Sequence, residues 1–122
     1  MLLGMLYYKG EDVEQNYAEA SQWFKQAAEV GHPEAMFMLG LLYLNELHLY
    51  PQAFHWNYQA AHKGLPAAQY NLAYQYQHGI GTTQNPTESL VWYQRCRDLT
   101  HGTLQQEAES ALRTLEINAS TS

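Results

Sequence analysis

Residues 23–43, "WFKQAAEVGHPEAMFMLGLLY", return almost unchanged as residues 56–76, "WNYQAAHKGLPAAQYNLAYQY", with nine of 21 positions identical at an offset of 33. The parts of a catalytic motif must converge on one place, so such a motif normally occurs once. A phrase repeated with a period in the mid-thirties describes a stackable structural unit instead. With gaps allowed, the phrase occurs a third time. Leu3-Gly4, Leu39-Gly40 and Leu72-Ala73 are equivalent, as are Tyr7, Tyr43 and Tyr76, and Trp23, Trp56 and Trp92. Leu-to-Leu spacings are 36 and 33, and Trp-to-Trp spacings are 33 and 36, so the middle unit is three residues shorter between its Tyr and its Trp.

Each unit reads as two helices. In the first, or A, helix, Ala35, Leu39 and Tyr43 fall at i, i+4 and i+8, a stripe of 3.6-residue period. In the B helix, Ala53, Trp56, Ala60 and Ala61 form another. Small residues at Gly4, Gly40, Ala28 and Ala61 allow helix axes to approach closely, with Trp and Tyr filling the space beside them. Asn16 and Asn85, each followed three residues later by Glu19 and Glu88, resemble capping boxes. Gly31 and Gly64 suit C′ positions, and Pro33 and Pro66 suit the first turn of the next helix. Thr103 with Gln106 opens a last helix striped by Leu104, Ala108, Ala111, Leu112 and Leu115, with a frayed tail expected after Ile117.

On these residues the chain resembles the Sel-one-like repeat family of tetratricopeptide-like α/α solenoids. The matching pattern is A-x-x-x-L-G-x-x-Y-x-x-G-x-G, then A-x-x-W-[FY]-x-x-A-A-x-x-G-x-x-x-A, over residues 2–100. The resemblance implies an all-α fold, a right-handed α/α solenoid of about three helix-turn-helix repeats plus a C-terminal capping helix. Units are expected near 1–32, 33–65 and 66–101, the capping helix at 103–117, and a flexible tail at 118–122. Departures occur. The middle unit lacks the inter-helix glycine pair, present in the third as Gly79 and Gly81, and Cys96-Arg97 and Thr100 replace Ala-Ala and Gly of the third B helix. The first A helix lacks its opening turn, which favours a fragment of a longer array; otherwise that helix frays or packs on another molecule.

Composition bounds the partners. Six Lys and Arg face twelve Asp and Glu, for a net charge of −6, and no basic cluster could neutralise a run of phosphates. Nucleic acid and membrane surfaces are disfavoured on that ground. No run approaches the ~18 apolar residues of a membrane span, and none has the layout of a signal peptide. The compartment is therefore open: cytoplasmic, or periplasmic or secreted if a signal lies upstream. One Cys cannot form an internal disulfide.

Chemistry is sparse. His55 and His62, seven apart on a B helix, stand ~10 Å apart along the axis, too far for one zinc ion. Both fall on the outer face, away from Ala53, Trp56 and Ala60. His32 belongs to a turn, His48 to the shortened loop, and His101 to the final connection. Cys96 takes the slot of Ala27 and Ala60 and reads as a small buried side chain rather than a nucleophile. Gly79-Ile80-Gly81 is an inter-helix turn, not a phosphate loop, because no strand precedes it and no Gly-Lys-Ser follows. Glu11, Asp12 and Glu14 read as a solvated charge run. Neither catalytic residues, nor a metal site, nor a cofactor is expected.

A-helix positions pointing away from the Ala-Leu-Tyr stripe carry Phe37, Leu41 and Asn45 in the second unit, and Tyr70, Tyr74 and His78 with Asn71 beside them in the third. Met5 and Lys9 correspond in the first. Stacked A helices line the concave side of solenoids in the resembling family, so Met5, Phe37, Leu41, Tyr70, Asn71, Tyr74 and His78 form a candidate protein- or peptide-binding groove. Phe37 and Tyr70 could instead pack between A helices. An aromatic-apolar groove suits a segment with apolar anchors. Tetratricopeptide domains that hold acidic tails use Lys and Arg on their A helices, and here Lys9 is the single basic A-helix residue. The resemblance implies a non-catalytic scaffold or adaptor for protein–protein contact, in a bacterial regulatory, envelope or host-interaction pathway. Alternatives are a structural segment self-associating through its incomplete N-terminal repeat and, remotely, a hydrolase-type enzyme.

Overall fold

A computed structural model describes the backbone of residues 17–121 and the side chains of 17–116. Among the described residues six helices follow one another: α1 (Tyr17–Glu29), α2 (Pro33–Asn45), α3 (Tyr50–His62), α4 (Pro66–His78), α5 (Pro86–Leu99) and α6 (Gly102–Thr121). No strand occurs among the described residues. Each helix packs on the next in chain order, which gives the α/α solenoid its layered core. Helices α2 and α4 are the A helices of the second and third units, and α1, α3 and α5 are B helices. The first A helix, with Met5 and Lys9, lies outside the described residues, as do the N-terminal acidic run and Asn16.

Local chemistry sets the boundaries. Pro33 and Pro66 open α2 and α4, where the missing N–H removes a donor that had no helical partner. The Asn85 side chain accepts from the Glu88 N–H at 3.1 Å and caps α5. Gly31 and Gly64, just past α1 and α3, hold φ of 96° and 91°. The shortened connection between α2 and α3 is closed by Leu49 N–H donating to Tyr43 O at 2.8 Å, and it forces His48 to φ 55°. The backbone of α6 stays helical to Thr121, past Ile117 where the sequence reading ended it. Asn118 to Thr121 include neither Gly nor Pro, so nothing breaks a helix already nucleated.

One core runs from Ala20 and Phe24 on α1 through Leu39 and Leu42 on α2 to Leu72 on α4, Trp92 on α5 and Leu112 on α6. Small residues set its helix spacing. A Cβ at Gly40 would meet Ala53 O and the Asn57 N at 3.4 Å, so α2 rests almost directly on the α3 backbone. On α6 Ala108 and Leu112 are buried, with Leu104, Ala111 and Leu115 half-buried along the same stripe.

Polar groups inside this core lie at the two junctions that α4 makes, with α3 and with α5. Asn57 Nδ2 on α3 donates to Gln75 Oε1 on α4 at 2.8 Å, both residues being buried. The positions 33 residues earlier are Phe24 and Leu42, which are fully buried and apolar. Gln69 Nε2 donates to Ala61 O at 3.3 Å, and Ser89 Oγ donates to Ala73 O at 2.8 Å. A buried donor or acceptor without a partner costs roughly 1–3 kcal/mol, so these bonds largely offset the burial of the groups that make them.

Cys96 is fully buried on α5, and burial pushes its thiol from 9.0 up to about 11, with the Glu107 carboxylate adding to the rise. Burial also raises the Tyr93 phenol well above its ordinary 10.0. A folded state that holds these protons more tightly than the unfolded chain loses stability as pH rises through the gap.

Two outcomes test this packing. Ala61→Leu, at a fully buried helix contact, should lower stability by ~1–3 kcal/mol, whereas His55→Leu on the exposed face should change it by no more than ~0.5 kcal/mol; urea unfolding compares them, and equal effects would contradict the assigned faces. The urea midpoint should also fall as pH rises from 9.0 toward about 11, and Cys96→Ala should make that fall shallower. An unchanged slope would mean that the thiol is not one of the groups responsible.

Candidate functional site

The described groove residues divide into two sets. Phe37 and Tyr70 are partly buried and pack against the core. The Tyr70 ring meets Tyr93 edge-on with centroids 5.4 Å apart. Burial raises the Tyr70 phenol above its ordinary value, and Glu107, Cys96 and Tyr74 add smaller increments in that order. Leu41 and Asn71 are half-buried. Tyr74 is 43% exposed, and its ring lies 4.3 Å from that of the exposed His78 one turn later. Tyr74 and His78 therefore meet as an exposed pair, while Tyr70 turns to α5.

Tyr74 borders an open cleft of about 550 Å³, within the size range of small-ligand pockets. One wall is the end of α2, Leu44 and Asn45. His48 and Tyr50 contribute a second wall from the connection and the first residue of α3, and the α4–α5 turn contributes the third through Gly79, Ile80 and Gly81. The Tyr50 hydroxyl lies 3.3 Å from His48 Nδ1, and their rings stand edge to face at 6.0 Å. The sequence places His48, Tyr50, Gly79, Ile80 and Gly81 in connections, and Asn45 and Tyr74 on the outward A-helix face, without joining them into one cleft. Its signals were present, namely the shortened loop of the second unit and the glycine pair of the third. That the two connections meet in space is not encoded in the periodicity of either one.

Gly81 is what allows them to meet. Its φ is 74°, and a Cβ there would run into the Tyr50 carbonyl oxygen and carbon, with Phe54 Cβ at 3.1 Å. Gly79 ends α4 in the left-handed region, and the Ile80 N–H donates to Gln75 O at 2.9 Å. Asn85 N–H closes the turn on Tyr76 O at 2.8 Å, and Gln84 Nε2 donates to Gln77 O at 2.8 Å.

Toward the end of α3 two exposed rings, Tyr58 and His62, continue to the buried Trp92 ring of α5. His62 stacks on Tyr58 at 4.0 Å and meets Trp92 at 4.8 Å, and the Arg95 guanidinium lies 4.6 Å from the Trp92 ring centroid. The His62 Nδ1 lies 2.9 Å from Tyr58 O and donates to it, which fixes the ring in place. His62 is accordingly an exposed histidine with a packing role. Among the described residues no group of three or more His, Cys, Asp or Glu could hold a metal ion.

Backbone strain and collision separate at two glycines. Gly81→Ala should cost well over ~1 kcal/mol, because a positive φ and the Tyr50 backbone both oppose a side chain. Gly64→Ala, at φ 91° with no atom within 4 Å of its would-be Cβ, should carry only the backbone cost of ~1–2 kcal/mol. Thermal unfolding ranks the pair, and an inverted order would contradict the contact that shapes the cleft.

Sel1 repeat models match residues 1–32, 33–65 and 66–99, nearly the whole chain. A Sel1 repeat protein from Oxalobacter formigenes is similar in structure at TM-score 0.78 and 34% identity, over 91% of this chain and 45% of that one. A protective antigen present in uropathogenic Escherichia coli strains, displaying an SLR fold, is similar at TM-score 0.78 and 36% identity, over 87% of this chain and 23% of the antigen. The chain thus spans less than half the length of either. No curated protein matches it. Sel1 repeats generally act as non-catalytic scaffolds for protein–protein contact. With its three tandem repeats and its α/α solenoid, the chain belongs to the Sel1 repeat family.

Proposed function

We propose that this chain is a non-catalytic adaptor whose A-helix face holds a segment of a partner protein. The observation that carries the reading is Tyr74, a large ring 43% exposed at the rim of an open cleft, on the helix that also bears the half-buried Asn71 and the exposed His78, with Tyr70 turned inward. Tyr is favoured where one end of a side chain is wet and its body is covered. Phe37 and Leu41 on α2 extend the same aromatic and apolar character, which suits apolar anchors on the incoming segment. The full burial of Cys96 argues against that thiol as a nucleophile, and the non-catalytic reading follows the general role of Sel1 repeats. A bacterial setting fits the Oxalobacter and Escherichia coli neighbours.

Leu41→Glu with Tyr74→Glu, offered as bait beside the wild type, should lose the proteins that the wild type captures while circular dichroism stays helical. Capture of the same proteins by both would remove the A-helix face as the contact surface. A wild type that captures nothing, and whose light scattering shows larger species as concentration rises, would replace the adaptor by a self-associating segment.

A further inference from the structure

The cleft beside Tyr74 is built from the negative ends of two helices. Helix α2 ends there at Asn45, and α4 ends there at His78 just before Gly79. A helix C-terminus carries about half an elementary negative charge on carbonyls that lack helical donors. At the α4 end Gln75 O, Tyr76 O and Gln77 O already accept from Ile80 N–H, Asn85 N–H and Gln84 Nε2, so the open carbonyls lie at the α2 end. At the α2 end, the backbone carbonyls of Leu44 and Asn45 accept no hydrogen bond from the described residues. Cations that commonly neutralise such ends are lacking: no basic residue lies in the last turn of α2, and the last turn of α4 offers only His78. The N-terminus of α3 also abuts the cleft and works the other way, but Pro51 in its first turn has no N–H to contribute.

The walls agree with the ends. Tyr50 and Tyr74 are 41% and 43% exposed. His78 lies against the Tyr74 ring at 4.3 Å and His48 meets Tyr50 edge to face at 6.0 Å, so a ligand meets what those histidines leave free, and the faces of aromatic rings attract cations. Leu44 and Ile80 add apolar surface of the kind that covers the methylene stem of a long charged side chain. The chain's own cations stay away. Lys25, Lys63, Arg95, Arg97 and Arg113 are the described ones, and none lines the cleft. The net charge of −6 favours approach of a basic segment from a distance.

Resting on the adaptor reading above, we infer that the cleft receives an arginine side chain of the partner segment, its guanidinium on the faces of Tyr50 and Tyr74 and toward the α2 carbonyl end. Guanidinium suits this site better than ammonium because it is planar, stacks on rings and is weakly hydrated. The cleft is then the anchor that gives direction to a segment otherwise held by apolar contact along Phe37 and Leu41.

The test is an amide NMR titration of the whole chain at neutral pH with N-acetyl-arginine methylamide, beside its uncharged isostere N-acetyl-citrulline methylamide. The arginine compound should move the Gly79, Ile80 and Gly81 amides saturably, and the citrulline compound should need about tenfold more. Tyr50→Leu and Tyr74→Leu should each weaken the arginine compound by about two- to fivefold, while Tyr58→Leu, outside the cleft, should leave it unchanged. Equal binding of the two compounds, saturable shifts confined to other amides, or no saturable shift with either would overturn the inference. Those outcomes leave the adaptor reading standing, since it falls only when the Leu41→Glu and Tyr74→Glu bait behaves as wild type.

Discussion

Close approach of helix backbones at small side chains is the constraint on which this molecule depends. At Gly40 α2 comes so near α3 that a single added methyl would already touch Ala53 O and the Asn57 N at 3.4 Å, and Ala60, Ala61, Ala68 and Ala73 are buried along the following helices. Spacing that tight leaves room beside the contact, not within it. Large rings fill that room: Phe54 against Tyr76 at 5.3 Å, and Tyr70 against Tyr93 at 5.4 Å. Close-packed interiors tolerate little change in volume, so one enlarged alanine is felt along the whole stack.

The same spacing decides where the connections lie. Helices α2 and α4 are equal in length and are displaced by one repeat, so their C-terminal ends fall side by side. The three residues missing from the second unit shorten its connection to Glu46–Leu49, which leaves space that the longer third connection enters. Gly81 completes the fit by seating that connection on the Tyr50 backbone. A length difference of one helical turn between two repeats thus becomes a concavity.

Much of this was legible in the sequence. The repeat, the prolines opening α2 and α4, the Asn85 cap and the buried place of Cys96 all follow from local rules that a single chain displays. Two kinds of feature were not. Gln69 and Gln75 are buried on α4, yet their polarity erases the apolar periodicity by which a core face is recognised. The neighbouring Asn57 amide and Ala61 carbonyl satisfy one atom of each side chain, while Gln75 Nε2 and Gln69 Oε1 stay buried without a partner. The cleft is the second kind, because it joins residues 44–50 to 74–81, and helical spacing within either stretch carries no information about the other. Among the groove residues, the outward face of α4 is readable by angle alone and the sequence leaves open that Tyr70 packs inward, but that the ring covering it is Tyr93 of α5, and not a neighbouring A helix, required the structure.

The hydrogen bond between Asn57 and Gln75 has a consequence for the order of the units. The junction before it presents Phe24 and Leu42 at the same two positions, so successive joints in the array carry different chemistry. A unit bearing Gln75 stacked behind one bearing Phe24 would bury an amide against a ring with no partner, at a cost of roughly 1–3 kcal/mol. Repeats alike enough to share a fold are thereby kept from trading places, within one chain or between two. Their sequence in the stack is written into the core as an oily joint followed by an amide one.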